Sequence, residues 1–136
     1  MDICDSLIEL RIALTTCCDG FSVENSNKDI LLSSRIKVLH LLSIKDMMPS
    51  ELIEALGIAK SNLANLSKSL IAEGVIDSYK SMGNYRNIFY RITDKRLNEL
   101  NAYKVSLYKV FGEKYKDNLD EIKVHIDQIL EILKGV

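Results

Sequence analysis

Two histidines and three cysteines are the only imidazole and thiol groups in this chain of 136 residues. Cys4, Cys17 and Cys18 are odd in number and fall within the first helix-like segment, while His40 and His125 stand far apart. Neither count nor spacing resembles a disulfide framework, and a zinc site is poorly supplied with ligands. No apolar run approaches the roughly 20 residues a membrane-spanning helix needs. The start, MDICDSLIEL, is acidic where a secretory signal is basic, so a cytoplasmic protein without a membrane partner is expected. There is no Ser/His/Asp set, no phosphate-binding glycine loop and no metal-ligand cluster, which argues against an enzyme and implies no cofactor and no metal. Internal repeats and low-complexity segments are also absent.

What is present is an ordinary globular mixture, 47% hydrophobic and 27% charged, of a length that suits one domain over residues 1–136. The net charge of −1 exerts no global pull on nucleic acid, but it is unevenly spread. Residues 33–96 hold ten Lys/Arg and six Asp/Glu, a net +4, against eight and thirteen in the two flanks, a net −5. A basic middle between acidic ends suggests a central surface that meets an anion.

The hydrophobic periodicity outlines a mainly α chain. Ile3, Leu7, Leu10 and Leu14 form a helical stripe over residues 2–18, followed by the loop-like CDGFSVENSNKD. SRIKVLHLLSI, residues 34–44, reads as a buried helix. Pro49 suits the first turn of a helix over 49–56 that Gly57 ends, and a second helix over 60–73 ends at Gly74. VIDSYKSM and NIFYRIT then read as two strands around GNYR, the second with Ile88, Tyr90 and Ile92 on one side and Asn87 and Arg91 on the other. Thr93 is placed to cap the next helix, with Asp94 at its positive end. Two further helices carry Leu97, Leu100, Leu107 and Phe111, then Leu119, Ile122, Ile126, Ile129 and Leu133 at coiled-coil spacing.

The helix over 60–73 is unusual. Leu63, Leu66 and Leu70 give it an apolar stripe, but Ser61, Asn62, Asn65, Lys68 and Ser69 line the other face without a carboxylate. An ordinary solvated face would more often carry Glu and Lys, because Asn and Ser are mediocre helix formers. A short helix, a tight turn, this helix and a hairpin are the order of a winged helix-turn-helix, which sets its second helix in the DNA major groove. Asn bonds adenine bidentately, Ser accepts or donates to either base type, and Lys neutralises phosphate. Lys60 and Lys68 flank the polar face for phosphate. The hairpin adds Lys80, Asn84, Tyr85, Arg86 and Arg91, again without an acidic residue between 78 and 93. The competing interpretation is an ordinary surface helix beside a basic hairpin.

SRIKVLHLL, MPSELIEALGIAKSNLANLSKSLIAEGVI and GNYRNIFYRITDK resemble the multiple-antibiotic-resistance-regulator (MarR) family of transcription factors, most strongly over residues 33–97. The resemblance implies a winged helix-turn-helix lobe over 33–96 and dimerisation helices over 1–20 and 97–136. It implies a homodimer on double-stranded DNA with a pseudo-palindromic operator, and a small-molecule effector, commonly an aromatic acid. The interface expected of such a dimer runs through Leu7, Leu10, Leu14, Leu119, Ile122, Ile126, Ile129 and Leu133. Asn84-Tyr85-Arg86 replaces the family's usual Asp-x-Arg wing tip, and Ala64-Asn65 stands where Thr-Arg is common. Ala59 replaces the usual capping Ser, leaving Ser61 as the candidate cap. Some relatives sense oxidants through an N-terminal Cys, which makes Cys17 and Cys18 redox candidates, although small buried helix residues are the simpler interpretation. The alternative function is a winged-helix protein–protein interaction module without DNA binding.

Overall fold

The computed structural model describes residues 2–16 and 33–135, and within them every side chain except those at positions 15, 16, 84–86, 95 and 96. The order is α1 (Ile3–Thr16), α2 (Ser34–Ile44), α3 (Pro49–Leu56), α4 (Lys60–Ala72), β1 (Ile76–Ser81), β2 (Asn84–Ile92), α5 (Asp94–Leu107) and α6 (Leu119–Lys134). A single π-helical turn, Tyr108–Gly112, follows α5. The expected loop CDGFSVENSNKD lies outside the described residues, as do Cys17 and Cys18. Contacts divide the chain into Ser22–Tyr103 and a second unit that joins Met1–Phe21 to Lys104–Val136. The division falls inside α5, later than the boundary expected at 96/97, because Leu100 is buried in the core of the first unit.

That core collects one face from each element. Helix α2 contributes Val38, Leu39 and Leu42, α3 contributes Leu52, and α4 contributes Leu63 and Leu70. Val75, Ile76 and Leu100 close it, with Tyr90 and Ile92 of β2 packed against it. The alternation read along the second strand therefore holds for Tyr90 and Ile92, while Ile88, nearer the wing tip, is exposed. Pro49 opens α3, and the Glu51 carboxylate accepts the Met48 N–H at 3.0 Å, filling the reciprocal half of an N-terminal cap. Gly57 ends α3 in the left-handed region, at φ 65°.

Two local readings are corrected. The hairpin turn is Met82-Gly83 rather than a loop around GNYR, because Ser81 pairs with Asn84 and β2 begins there. The register shifts between Lys80 and Ser81, since Lys80 already pairs with Ile88, so residues 85–87 make β2 longer than its partner there. Ser61 is not the cap of α4: Ala59 holds the extended N-cap conformation, and no side chain caps the helix. The Thr93 hydroxyl, at the start of α5, donates to the carbonyls of Gly74 (2.9 Å) and Val75 (3.2 Å), tying the start of α5 to the turn after α4.

An ionic clamp reinforces that corner. The Arg35 guanidinium reaches both carboxylate oxygens of Glu73, the C-cap of α4, at 3.0 and 3.2 Å. Its Nε and other terminal nitrogen reach Glu99 of α5 at 3.3 and 3.1 Å. Planar forked donors suit two carboxylates at once. Partial burial works against the charge, but the bonds to Glu73 and Glu99 outweigh it and hold the guanidinium's pKa above its ordinary value.

In the other unit, α1 leaves Leu7, Leu10 and Leu14 exposed, with Ile3, Ile8 and Ile12 also open to solvent. Helix α6 has no buried residue: Ile126, Ile129 and Leu133 are exposed, and Leu119 and Ile122 are half-buried. Phe111 and Tyr115 pack ring to ring at 4.8 Å. No described helix is long and apolar enough to cross a membrane.

A Cβ at Gly57 would meet nothing within 4 Å, so Gly57→Ala carries only the left-handed backbone penalty. It is expected to destabilise the protein by about 1 kcal/mol, and Gly57→Asn by less, as urea-unfolding midpoints would measure. The Met48 N–H, then Lys45, hold the Glu51 carboxyl below its ordinary value of 4.5. The unfolded chain therefore takes up this proton first as pH falls. The contribution of Glu51 is complete above about pH 4.5 and is lost as pH drops through the folded value. Glu51→Gln should show a shallower loss of stability than wild type below that pH.

Candidate nucleic-acid interface

Helix α4 is sharply two-sided. Leu63, Ser67 and Leu70 are buried, while Ser61, Asn62, Asn65, Lys68 and Ser69 are exposed. The spacing of these five puts them along one side of the helix. None has a side-chain hydrogen bond or ion pair to another described residue, so the full donor and acceptor capacity of the stripe faces solvent. Lys60 is exposed but lies off the stripe. It faces α3, where with Pro49, Ile53 and Tyr90 it lines an open groove of about 410 Å³.

Ser67 was not singled out in the sequence, although it falls four residues after Leu63 on the apolar side. Its hydroxyl donates to the Ala64 carbonyl (3.2 Å) and accepts from the Tyr90 hydroxyl (3.4 Å), so the buried polar group is satisfied and α4 is tied to β2. Backbone bonds position the helix further. The Val75 N–H donates to the Leu70 carbonyl at 2.9 Å, and Tyr90 exchanges N–H···O bonds of 2.8 and 3.2 Å with Met47.

The wing is braced on its outer face. Tyr79 stacks on Phe89 at 5.7 Å and donates its hydroxyl to Asp46 at 2.5 Å, which pushes the phenol pKa up. Arg91 pairs with Asp77 across the strands at 3.1 Å and lies 5.1 Å over the Tyr79 ring. Arg91, followed by the Ser78 N–H, holds the Asp77 carboxyl below its ordinary value. Arg91, a sequence candidate for DNA contact, is thus already engaged within the wing, half exposed. Lys80 is exposed and forms no ion pair with the described residues. The side chains of Asn84, Tyr85 and Arg86 lie outside the described set; their backbone opens β2.

Elsewhere, no group of three metal-capable side chains occurs among the described residues. Cys4 is exposed, and His125 stands 3.9 Å from Glu121 on α6.

A leucine-anchored helix with a carboxylate-free polar face, behind a short support helix and ahead of a hairpin, defines a winged helix-turn-helix. The mainly helical chain with its two-stranded hairpin has the fold of MarR-type regulators. It is similar to E. coli MarR in its apo form, with a TM-score of 0.73 and 12% identity over 96% of this chain and 98% of that one. It is similar also to the Streptomyces coelicolor regulator PcaV solved with its natural ligand, with a TM-score of 0.66 and 18% identity over 98% and 93% of the two chains. No family model matches the sequence. The transcriptional regulator AdcR of Streptococcus pneumoniae serotype 2 is 33% identical over 84 residues, 62% of this chain. The match spans about half, 52%, of that relative. The resemblance read from the sequence is thus borne out in fold, and these relatives are transcriptional regulators, a class without enzymatic activity.

The Tyr79–Asp46 bond joins β1 to the α2–α3 turn. Tyr79→Phe keeps the stack on Phe89 and removes only the hydroxyl, so amide hydrogen exchange is expected to quicken in β1 and β2 while α2 and α4 keep wild-type protection.

Proposed function

We propose that this protein is a sequence-specific transcriptional regulator that binds double-stranded DNA as a homodimer. The observation that carries this is the stripe Ser61, Asn62, Asn65, Lys68 and Ser69, exposed and uncommitted on a helix whose opposite side is buried. In this reading α4 enters the major groove, Asn62 and Asn65 meet base edges, and Lys68 and Lys60 meet phosphate. Lys80 and the residues at 84–86 bring the wing to the backbone or minor groove, and Arg91 stiffens it.

The dimer reading rests on the apolar residues that α1 and α6 leave open. A second copy covering them supplies the two-fold symmetry that sets half-sites roughly 34 Å apart on a pseudo-palindrome. The fold shared with PcaV, solved with its natural ligand, supports a small-molecule effector. A cytoplasmic location follows from a DNA target.

Binding is expected to weaken steeply with salt as phosphate contacts displace counterions. Selection from a random duplex pool should return two related half-sites. Asn65→Ala should then change the preferred sequence, at about 1–3 kcal/mol per lost base contact, whereas Lys80→Ala should weaken all duplexes alike. If neither the selection nor anisotropy at low salt finds bound DNA, the reading fails and a protein–protein interaction module takes its place.

A further inference from the structure

The apex of the wing carries an apolar side chain that nothing else in the fold uses. Met82 is 99% exposed; the next most open large apolar residue among those described, Ile132, is 79% exposed. With Gly83, at φ 88°, it forms the whole two-residue turn between Ser81 and Asn84. A register shift lies beside it, the kind of irregularity that can re-aim a hairpin tip. Its surroundings are cationic: Lys80, two residues before it, has no ion pair among the described residues, and positions 78–93 hold no carboxylate.

An exposed thioether gains nothing from water, and here it heads a hairpin whose other chemistry suits a polyanion. The minor groove is narrow, and its polar code barely separates A·T from T·A, so proteins that enter it often use apolar wedges that exploit how easily a base step unstacks. Methionine is flexible and polarisable enough to follow such a surface. We propose that Met82 is a specificity-determining minor-groove contact, seated against a deformable pyrimidine–purine step on the flank of each half-site. The inference rests on the DNA-binding reading above.

The test uses the full chain and the duplex returned by selection, with the flanking step under the wing varied among TA, CA and GC. Wild type should favour TA over GC by about fivefold or more, the lower end of a single-position effect. Met82→Ala should erase that preference while leaving the major-groove sequence unchanged, and Met82→Leu should keep most of it. At a position this exposed, neither substitution disturbs the core, and circular dichroism would verify the fold. The proposal is overturned if Met82→Ala retains the step preference, or if it loses affinity equally on every step. If wild type binds no duplex at all, the DNA reading itself fails and the Met82 proposal falls with it, a result distinct from the first two.

Discussion

Helix α4 sinks Leu63, Ser67 and Leu70 into the lobe and leaves its amide and hydroxyl side chains bare. The two faces constrain each other. Asn, Ser and Lys supply little helix propensity, so most of the helix's stability must come from burial of the apolar side. Support helix α3, the buried side of α2 and the inner face of β2 all contribute to that burial. Replacing a leucine of the stripe would therefore cost the polar face its geometry without touching any of its side chains.

The lobe spends part of its positive charge internally. Arg35, Lys45 and Arg91 are each paired with carboxylates of the same lobe. A sequence count of basic residues therefore overstates the charge available to a partner. Among the described cations without a partner, Lys60, Lys68 and Lys80 lie on α4 and at the wing, and Lys37 lies on α2. The local arrangement of charge, more than the modest net excess, makes this surface suited to a polyanion.

Much of the fold was legible in the sequence because its signals are local. Leucine spacing, Pro49 at a helix start, and Gly57 and Gly74 at helix ends gave the helices, and strand alternation gave the hairpin. The stripe on α4 was legible for the same reason: helical periodicity alone assigns it to one face. What was missed depends on tertiary partners. Thr93 has the composition of a cap, but its bonds to two carbonyls of the α4–β1 turn join segments that no local pattern links. Ser67 looks polar in sequence and is buried because Tyr90 meets it. Arg35 lies 38 and 64 residues from its two partners, a separation no local pattern encodes. The wing apex was misplaced because Gly83-Asn84 resembles a turn dipeptide, whereas the pairing of Ser81 with Asn84 moves the turn back to Met82-Gly83.

The clamp at Glu73 has a mechanical side. Its far end holds α4 through Arg35 and through the Val75 N–H to Leu70, whereas its first turn follows Ala59 and has no side-chain cap. Ile58 and Leu63 seat that first turn in the core, so the near end is held by apolar packing and the far end by directed bonds. Ser61 and Asn62 therefore take their place from packing, while the Glu73 corner, where Thr93 and Glu99 bring in α5, fixes the opposite end by hydrogen bonds and charge.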